Sequence, residues 1–150
     1  MAGSTNNRLN IGNHAHVALE DNKGEITVEL DGVFRLIFKP SPDMPEWSEL
    51  GVTLRDKGWL ECRSVHLKYR AMARKPAQIR AAVRVFSETG FQDVFAFQPN
   101  YVGTTLGYHG ADFSLSPRLL EKAPRCDLQL FFDNQDNTLD LHDLVVTGFR

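Results

Sequence analysis

The chain has 150 residues, of which 42% are hydrophobic and 24% charged, with a formal net charge of −2. That is the size of one domain, able to bury roughly 68–70% of the surface its unfolded chain exposes, and the composition excludes disorder. A near-neutral charge selects neither nucleic acid nor a membrane, no apolar run approaches the ~20 residues of a membrane helix, and two cysteines make no disulfide framework.

Residues 1–15 are expected to be a flexible N-terminal arm, because Gly3, Ser4, Asn6, Asn7, Asn10, Gly12 and Asn13 offer little to bury. This polar start has no apolar stretch behind a basic one, so no secretory leader is read. A cytoplasmic location is expected unless the chain is cut from a longer secreted one. Residues 16–150 read as a single β-sandwich domain. Ile26, Val28 and Leu30 alternate with polar residues, Asp31-Gly32 marks a hairpin turn, and Val33–Lys39 continues as a second strand. Pro42 and Pro45 place a loop over Ser41–Glu46. A strand is expected at 49–56. Val65, Leu67, Tyr69, Ala71 and Ala73 then alternate with His66, Lys68, Arg70 and Met72, and Ile79, Ala81, Val83 and Val85 with Arg80, Ala82 and Arg84. Further strands are expected at 91–98 and 105–115, with one helical turn at Pro117–Lys122. Leu128–Phe132 and Leu139–Val146 are the closing strands, with a bulge near His142-Asp143. Eight to nine short strands with little or no helix predict an all-β, two-sheet antiparallel jelly-roll sandwich.

Seven of the 17 basic residues fall between Arg63 and Arg84, a stretch without a single acid. Two readings follow. Flanking strands neutralise the basic ones by cross-strand pairing, or a cationic sheet face binds a ligand. His66, Lys68 and Arg70 share one face of their strand, and Arg80 and Arg84 share the polar face of the next. Side by side, the two strands would gather these cations on one surface, joined by Asp127, Gln129 and Phe131. Arg70, Arg80 and Arg84 are expected to point away from the core. Guanidinium groups suit planar carboxylates and hydroxyls. Arg, Gln, Asp and an aromatic together suit the hydroxyls of a sugar. Tyr101 and Tyr108 flank the glycine-rich loop Gly103–Gly110, a second candidate contact for a sugar ring. Trp47 and Trp59 read as caps on the ends of the core.

Three stretches carry a resemblance: Val65-His66-Leu67-Lys68-Tyr69-Arg70-Ala71-Met72-Ala73, Asp112–Pro117, and Cys126–Phe132 followed by Leu139–Val146. From residue 61 onward the pattern resembles the galactose-binding-like jelly roll, the fold of many carbohydrate-binding modules. The resemblance implies an eight-stranded sandwich and non-catalytic binding of a carbohydrate or glycoconjugate. It also implies the structural calcium of many members. Here His142 stands at the first acidic position of the closing motif and only Asp143 matches, and calcium takes hard oxygen ligands. No cofactor is therefore expected; a calcium would need Asp143 with Glu20 or Asp21.

His14, His16 and Glu20 spell H-x-H-x3-E, part of the cupin metal motif, which makes a cupin-like metalloenzyme the third reading. Arg8 stands where that motif expects glycine, the second cupin motif is missing, and the two histidines read as residues of a frayed first strand. Cys62 and Cys126 are expected to be free, buried thiols. No nucleophile triad, zinc-protease motif or phosphate loop is present, and no catalytic or metal-binding residue is assigned. The leading expectation is a non-catalytic carbohydrate-binding module whose ligand-binding residues are His66, Lys68, Arg70, Arg80, Arg84, Gln129, Tyr101 and Tyr108. The runner-up is a protein–protein interaction or structural subunit of a larger assembly, its basic face docking an acidic protein partner.

Overall fold

Alternation of apolar and polar residues is realised as strand in thirteen places of the computed structural model, which describes residues 2–54, 57–120 and 123–150. In chain order these are β1 (Ala2–Thr5), β2 (Arg8–Ile11), β3 (Ala15–Leu19), β4 (Gly24–Leu30), β5 (Phe34–Pro40), β6 (Ser48–Leu54), β7 (Ser64–Ala73), β8 (Ala77–Ser87), β9 (Gly90–Phe95), β10 (Asn100–Val102), β11 (Gly107–Ser114), β12 (Cys126–Phe132) and β13 (Asn137–Phe149). The first sheet has the order β1-β4-β5-β13-β7-β11. The second has the order β10-β8-β12-β6-β3-β2, with β9 also pairing β8. Each pairing is antiparallel, so the two-sheet sandwich expected from the sequence is the architecture found.

The core lies between the sheets. Val65, Leu67, Tyr69, Ala71 and Ala73 of β7 are buried on one side, and Ile79, Ala81, Val83 and Val85 of β8 with Leu128 and Leu130 of β12 on the other. Burying one such Leu or Val is worth about 1.5–3 kcal/mol. Because side chains alternate along a strand, this apolar phase forces Arg70, Arg80 and Arg84 outward, as expected. The Asp31-Gly32 turn joins β4 to β5, with Gly32 at a φ of 69°, a conformation that costs glycine nothing. The expected bulge is present: the β13–β7 register shifts between His142 and Val145, and Asp143 has a φ of 51°.

Three features differ from expectation. Residues 1–15 include two strands. β1 pairs β4 and β2 pairs β3, one at an edge of each sheet. Leu9 and Ile11 supply the reason, since they lie on one face of β2 and pack against the core. The short strand β10 was also unforeseen. A 3-10 turn spans Lys57–Glu61 besides the expected helical turn α1 (Pro117–Leu120), whose predicted last residues, 121 and 122, lie outside the described residues. Trp59 in that 3-10 turn packs on the core as expected. Both cysteines are buried and free, and burial with the neighbouring Asp127 pushes the Cys126 thiol up to about 11.

One polar link ties the sheets together at an edge. The Tyr69 hydroxyl on β7 donates to Asn100 Oδ1 on β10 at 2.7 Å, and Asn100 Nδ2 donates to the Gly110 carbonyl on β11 at 2.8 Å. His109 stacks on Tyr69 with ring centroids 5.5 Å apart. Burial lowers the His109 pKa. The folded state therefore takes up this proton at lower pH than the unfolded chain. His109 costs no stability above its ordinary value of about 6.5, and its cost grows as pH falls through that value. The melting temperature is expected to fall from pH 7.5 to pH 5.5, and by less in His109→Gln, measured by thermal denaturation across that range.

Candidate binding groove on the second sheet

The outward face of the second sheet is a groove of about 820 Å³. Its side chains follow from strand parity. With Ile79, Ala81, Val83 and Val85 in the core, β8 turns Gln78, Arg80, Ala82, Arg84 and Phe86 outward. β12 does the same with Asp127, Gln129 and Phe131. Cross-strand register arranges them in rows. Phe131 stands between Arg80 and Glu49, Gln129 between Ala82 and Gly51, and Asp127 between Arg84 and Thr53. In the middle row Ala82 and Gly51 have almost no side chain, and the His16 ring takes the space over Gly51. Gly51 is required there: a Cβ would collide with the His16 ring that lies against it. β9 adds Phe91, Asp93 and Phe95 as one wall, opposite Phe86, Arg84 and Ala82.

An ion network crosses this floor. Arg84 donates two bonds to Asp93, Nε to Oδ1 at 2.8 Å and Nη2 to Oδ2 at 3.0 Å. Its Nη1 lies 3.5 Å from Glu49 Oε1, and Glu49 Oε2 lies 3.0 Å from His16 Nε2. Burial opposes the Arg84 charge, but the Asp93 hydrogen bond and the charges of Glu49, Asp93 and Asp127 outweigh it and hold the guanidinium above its ordinary pKa. In the register, the diagonal from Arg84 to Glu49 passes over Gln129. Gln129 is fully buried, and its amide oxygen and nitrogen both lack a partner, as does Asp127 Oδ1. Three guanidinium groups lie on phenylalanine rings: Arg84 on Phe91 at 3.9 Å, Arg125 on Phe86 at 4.1 Å and Arg80 on Phe95 at 4.5 Å.

The residues singled out in the sequence divide between two surfaces. Arg80, Arg84 and Gln129 line the groove. Tyr101 is opposite Gln78 in register and so faces the same side, 73% exposed. His66, Lys68, Arg70 and Tyr108 are on the outward face of the first sheet, across the sandwich. The expectation that β7 and β8 lie side by side is therefore corrected. Their connection, Arg74-Lys75-Pro76, is a corner between sheets and no hairpin. Asn137 clasps it, accepting from the Lys75 N–H at 3.0 Å and donating to the Lys75 carbonyl at 3.0 Å, while Arg74 N–H bonds the Thr138 carbonyl at 2.9 Å. On the first sheet the cross-strand pairing reading describes what is found: His66 bonds Asp112 at 2.7 Å and Arg70 bonds Asp143 at 2.7 Å, while Lys68 lies 5.3 Å from the Tyr108 ring. Asp143 is thus taken by Arg70, and Glu20 accepts the Glu46 N–H at 2.7 Å.

Several groove residues escaped the sequence reading. Trp47 was expected to cap the core and instead stands at the groove, 39% exposed. Phe91, Asp93 and Phe95 carried a readable signal, an i, i+2 spacing that puts all three on one face. Glu49, Gly51 and Arg8 had none, because only the pairing of β6, β3 and β2 brings them to the groove.

No protein-family model and no curated protein sequence matches the chain. Solved structures do. A family 22 xylan-binding domain from Paenibacillus barcinonensis superposes with a TM-score of 0.60 at 13% identity, covering 100% of this chain and 94% of that one. The N-terminal cellulose-binding domain of a Cellulomonas fimi β-1,4-glucanase gives 0.54 at 12% identity, with 99% and 89% covered. The chain has the jelly-roll fold of carbohydrate-binding modules. A family 11 xylanase from Neocallimastix patriciarum shares it too, at a TM-score of 0.56, 12% identity and coverage of 99% and 100%, so the fold alone separates binding from catalysis no further.

Arg84 is mostly buried and Glu49 is 6% exposed. Removing the cation strips the mostly buried Asp93 carboxylate of its bidentate partner and leaves Glu49 with His16 alone. Arg84→Ala is expected to lower stability by about 3–5 kcal/mol, whereas Arg80→Ala, at an exposed site, stays within about 0.5 kcal/mol, both read by urea denaturation.

Proposed function

We propose that the protein is a non-catalytic carbohydrate-binding module that holds a glycan in the groove of the second sheet. The observation that carries this reading is Gln129: a buried amide on the floor of an open groove, with donor and acceptor both unpaired. Such a group normally finds a partner, and a sugar hydroxyl, donor and acceptor at once, is one. The Arg84–Glu49 contact above it is long at 3.5 Å, while Arg84 remains bidentate to Asp93. A hydroxyl that replaces the long contact reaches the guanidinium and the amide beneath it. Half-exposed Phe91, Phe95 and Trp47 supply apolar surface for the C–H faces of a sugar ring. The xylan-binding and cellulose-binding neighbours share the fold that builds this groove. Arg80, Arg84 and Gln129 are the sequence-predicted residues that line the proposed site, and Tyr101 stands on the same face outside that lining; His66, Lys68, Arg70 and Tyr108 belong to the opposite face.

Binding without hydrolysis is favoured by the carboxylates. A glycosidase needs two carboxyl groups free to act on the sugar from either side. Glu49 is held by Arg84 and His16, Asp93 by Arg84, Asp127 has Arg125 at 3.6 Å, and Asp133 accepts the Gln78 N–H at 2.7 Å, which leaves Glu46 as a single unengaged carboxylate among the described residues of the groove, one short of a pair.

Gln129→Leu separates binding from folding. It removes two unpaired buried polar atoms, so the melting temperature is expected to hold or rise. Binding is expected to weaken about tenfold, the equivalent of ~1.4 kcal/mol, measured by titration calorimetry with the best ligand from a panel of soluble xylan, β-glucan and galactan oligosaccharides. Failure of the wild-type protein to bind any neutral or acidic glycan would overturn the reading and favour a protein-interaction module.

A further inference from the structure

We infer that the glycan selected by this groove carries scattered carboxylates, as uronic-acid substituents on an otherwise neutral backbone, and that Arg80 and Arg8 receive them; the inference rests on the glycan-binding reading above. Four arginines line the groove: Arg8, Arg80, Arg84 and Arg125. Arg84 and Arg125 have carboxylate partners. Among the described residues, Arg8 and Arg80 have none within 4.0 Å. Arg8 Nε donates only to Asn10 Oδ1, at 3.2 Å. The Arg80 guanidinium lies 4.5 Å from the centre of the Phe95 ring. Stacking fixes its plane and leaves its N–H edges open.

The two free arginines belong to one cross-strand row, Arg80–Phe131–Glu49–Ala18–Arg8, running over β8, β12, β6, β3 and β2. The row spans four strand spacings, about 19 Å at the backbone, so the two side chains stand on opposite sides of the groove. Its one acid, Glu49, is buried and already engaged by Arg84 and His16. The row therefore offers two donor-only forks and no free acceptor. A hydroxyl both donates and accepts, and would leave its proton unmatched there. A carboxylate only accepts, and fits a guanidinium with two parallel bonds.

The rest of the groove argues for a sparse charge. Glu46, Glu49, Asp93, Asp127 and Asp133 also line it, so its summed charge is close to zero and attracts no anion from a distance. A polyuronate, charged at every sugar, would meet those acids. A neutral chain with isolated carboxylates meets only the forks.

The test is titration calorimetry with three oligosaccharides of equal length: plain xylo-oligosaccharide, the same backbone bearing one glucuronic acid, and oligogalacturonate. The glucuronic acid-bearing probe is expected to bind about tenfold more tightly than the plain one. Reduction of its carboxyl to the alcohol removes the difference. In Arg80→Gln and Arg8→Gln the affinity ratio of the two probes falls toward one while the melting temperature holds. Equal binding of the first two probes by the wild type would overturn the inference and leave the module reading standing. Tightest binding of oligogalacturonate would overturn the sparse-charge assignment. Binding of none of the three, nor of any neutral glycan in the wider panel, would overturn both readings.

Discussion

Everything in the molecule depends on the apolar phase that β7, β8 and β12 share across the sandwich. Leu67 and Tyr69 belong with Val83, Leu128 and their neighbours to one buried apolar cluster. A one-residue slip of any of these strands would expose its whole apolar set, so the phase is strongly specified. Once it is set, the opposite phase has no choice of direction. Arg80, Arg84, Asp127, Gln129 and Phe131 are delivered to one outer face as a by-product of burying Ile79, Val83, Leu128 and Leu130. The groove is thus built by the core, with the His16 ring seated over Gly51.

The same logic explains what could be read from the sequence. Alternation is a local property, so the long central strands, the Asp31-Gly32 turn and the bulge at Asp143 were all legible. So was the outward direction of each arginine. Pairing is not local. Two strands three residues apart invite a hairpin, yet β7 pairs with β11 and β13 and β8 with β12 and β9, and Asn137, more than 60 residues on, clasps the corner between them. That one corner divided the predicted cationic surface in two. Gly51 and Glu49 were illegible for a related reason: nothing near them announces that a histidine from β3 will lie alongside. The N-terminal strands were hidden by composition, since Leu9 and Ile11 are two apolar residues in an Asn-rich stretch.

The groove also illustrates how a stable scaffold carries a locally unfavourable floor. Unpaired buried atoms on Gln129 and Asp127 detract from stability, and the sandwich tolerates them because its interior is otherwise apolar and closely packed. Arg84 works in the opposite sense, joining strands from three positions of the sheet through Asp93, Glu49 and, beyond Glu49, His16. Rigidity from the arginine and unmet hydrogen-bonding capacity from the glutamine occupy the same few ångströms, which is the combination a preorganised recognition surface needs.

The position of β13 has a consequence for how the protein comes to be made. This strand sits in the middle of the first sheet, between β5 and β7, and contributes Asp140, which holds Arg35 across 105 residues of chain. Of the strands of this sheet it is the last in chain order, and so the last to be synthesised. Until then, the β4–β5 hairpin and the β7–β11 pair each present a bare edge with unpaired N–H and C=O groups and an apolar face. The first sheet can close only when the final strand slots between two halves already waiting, a late and non-local event of the kind that slows folding and invites mispairing with other chains.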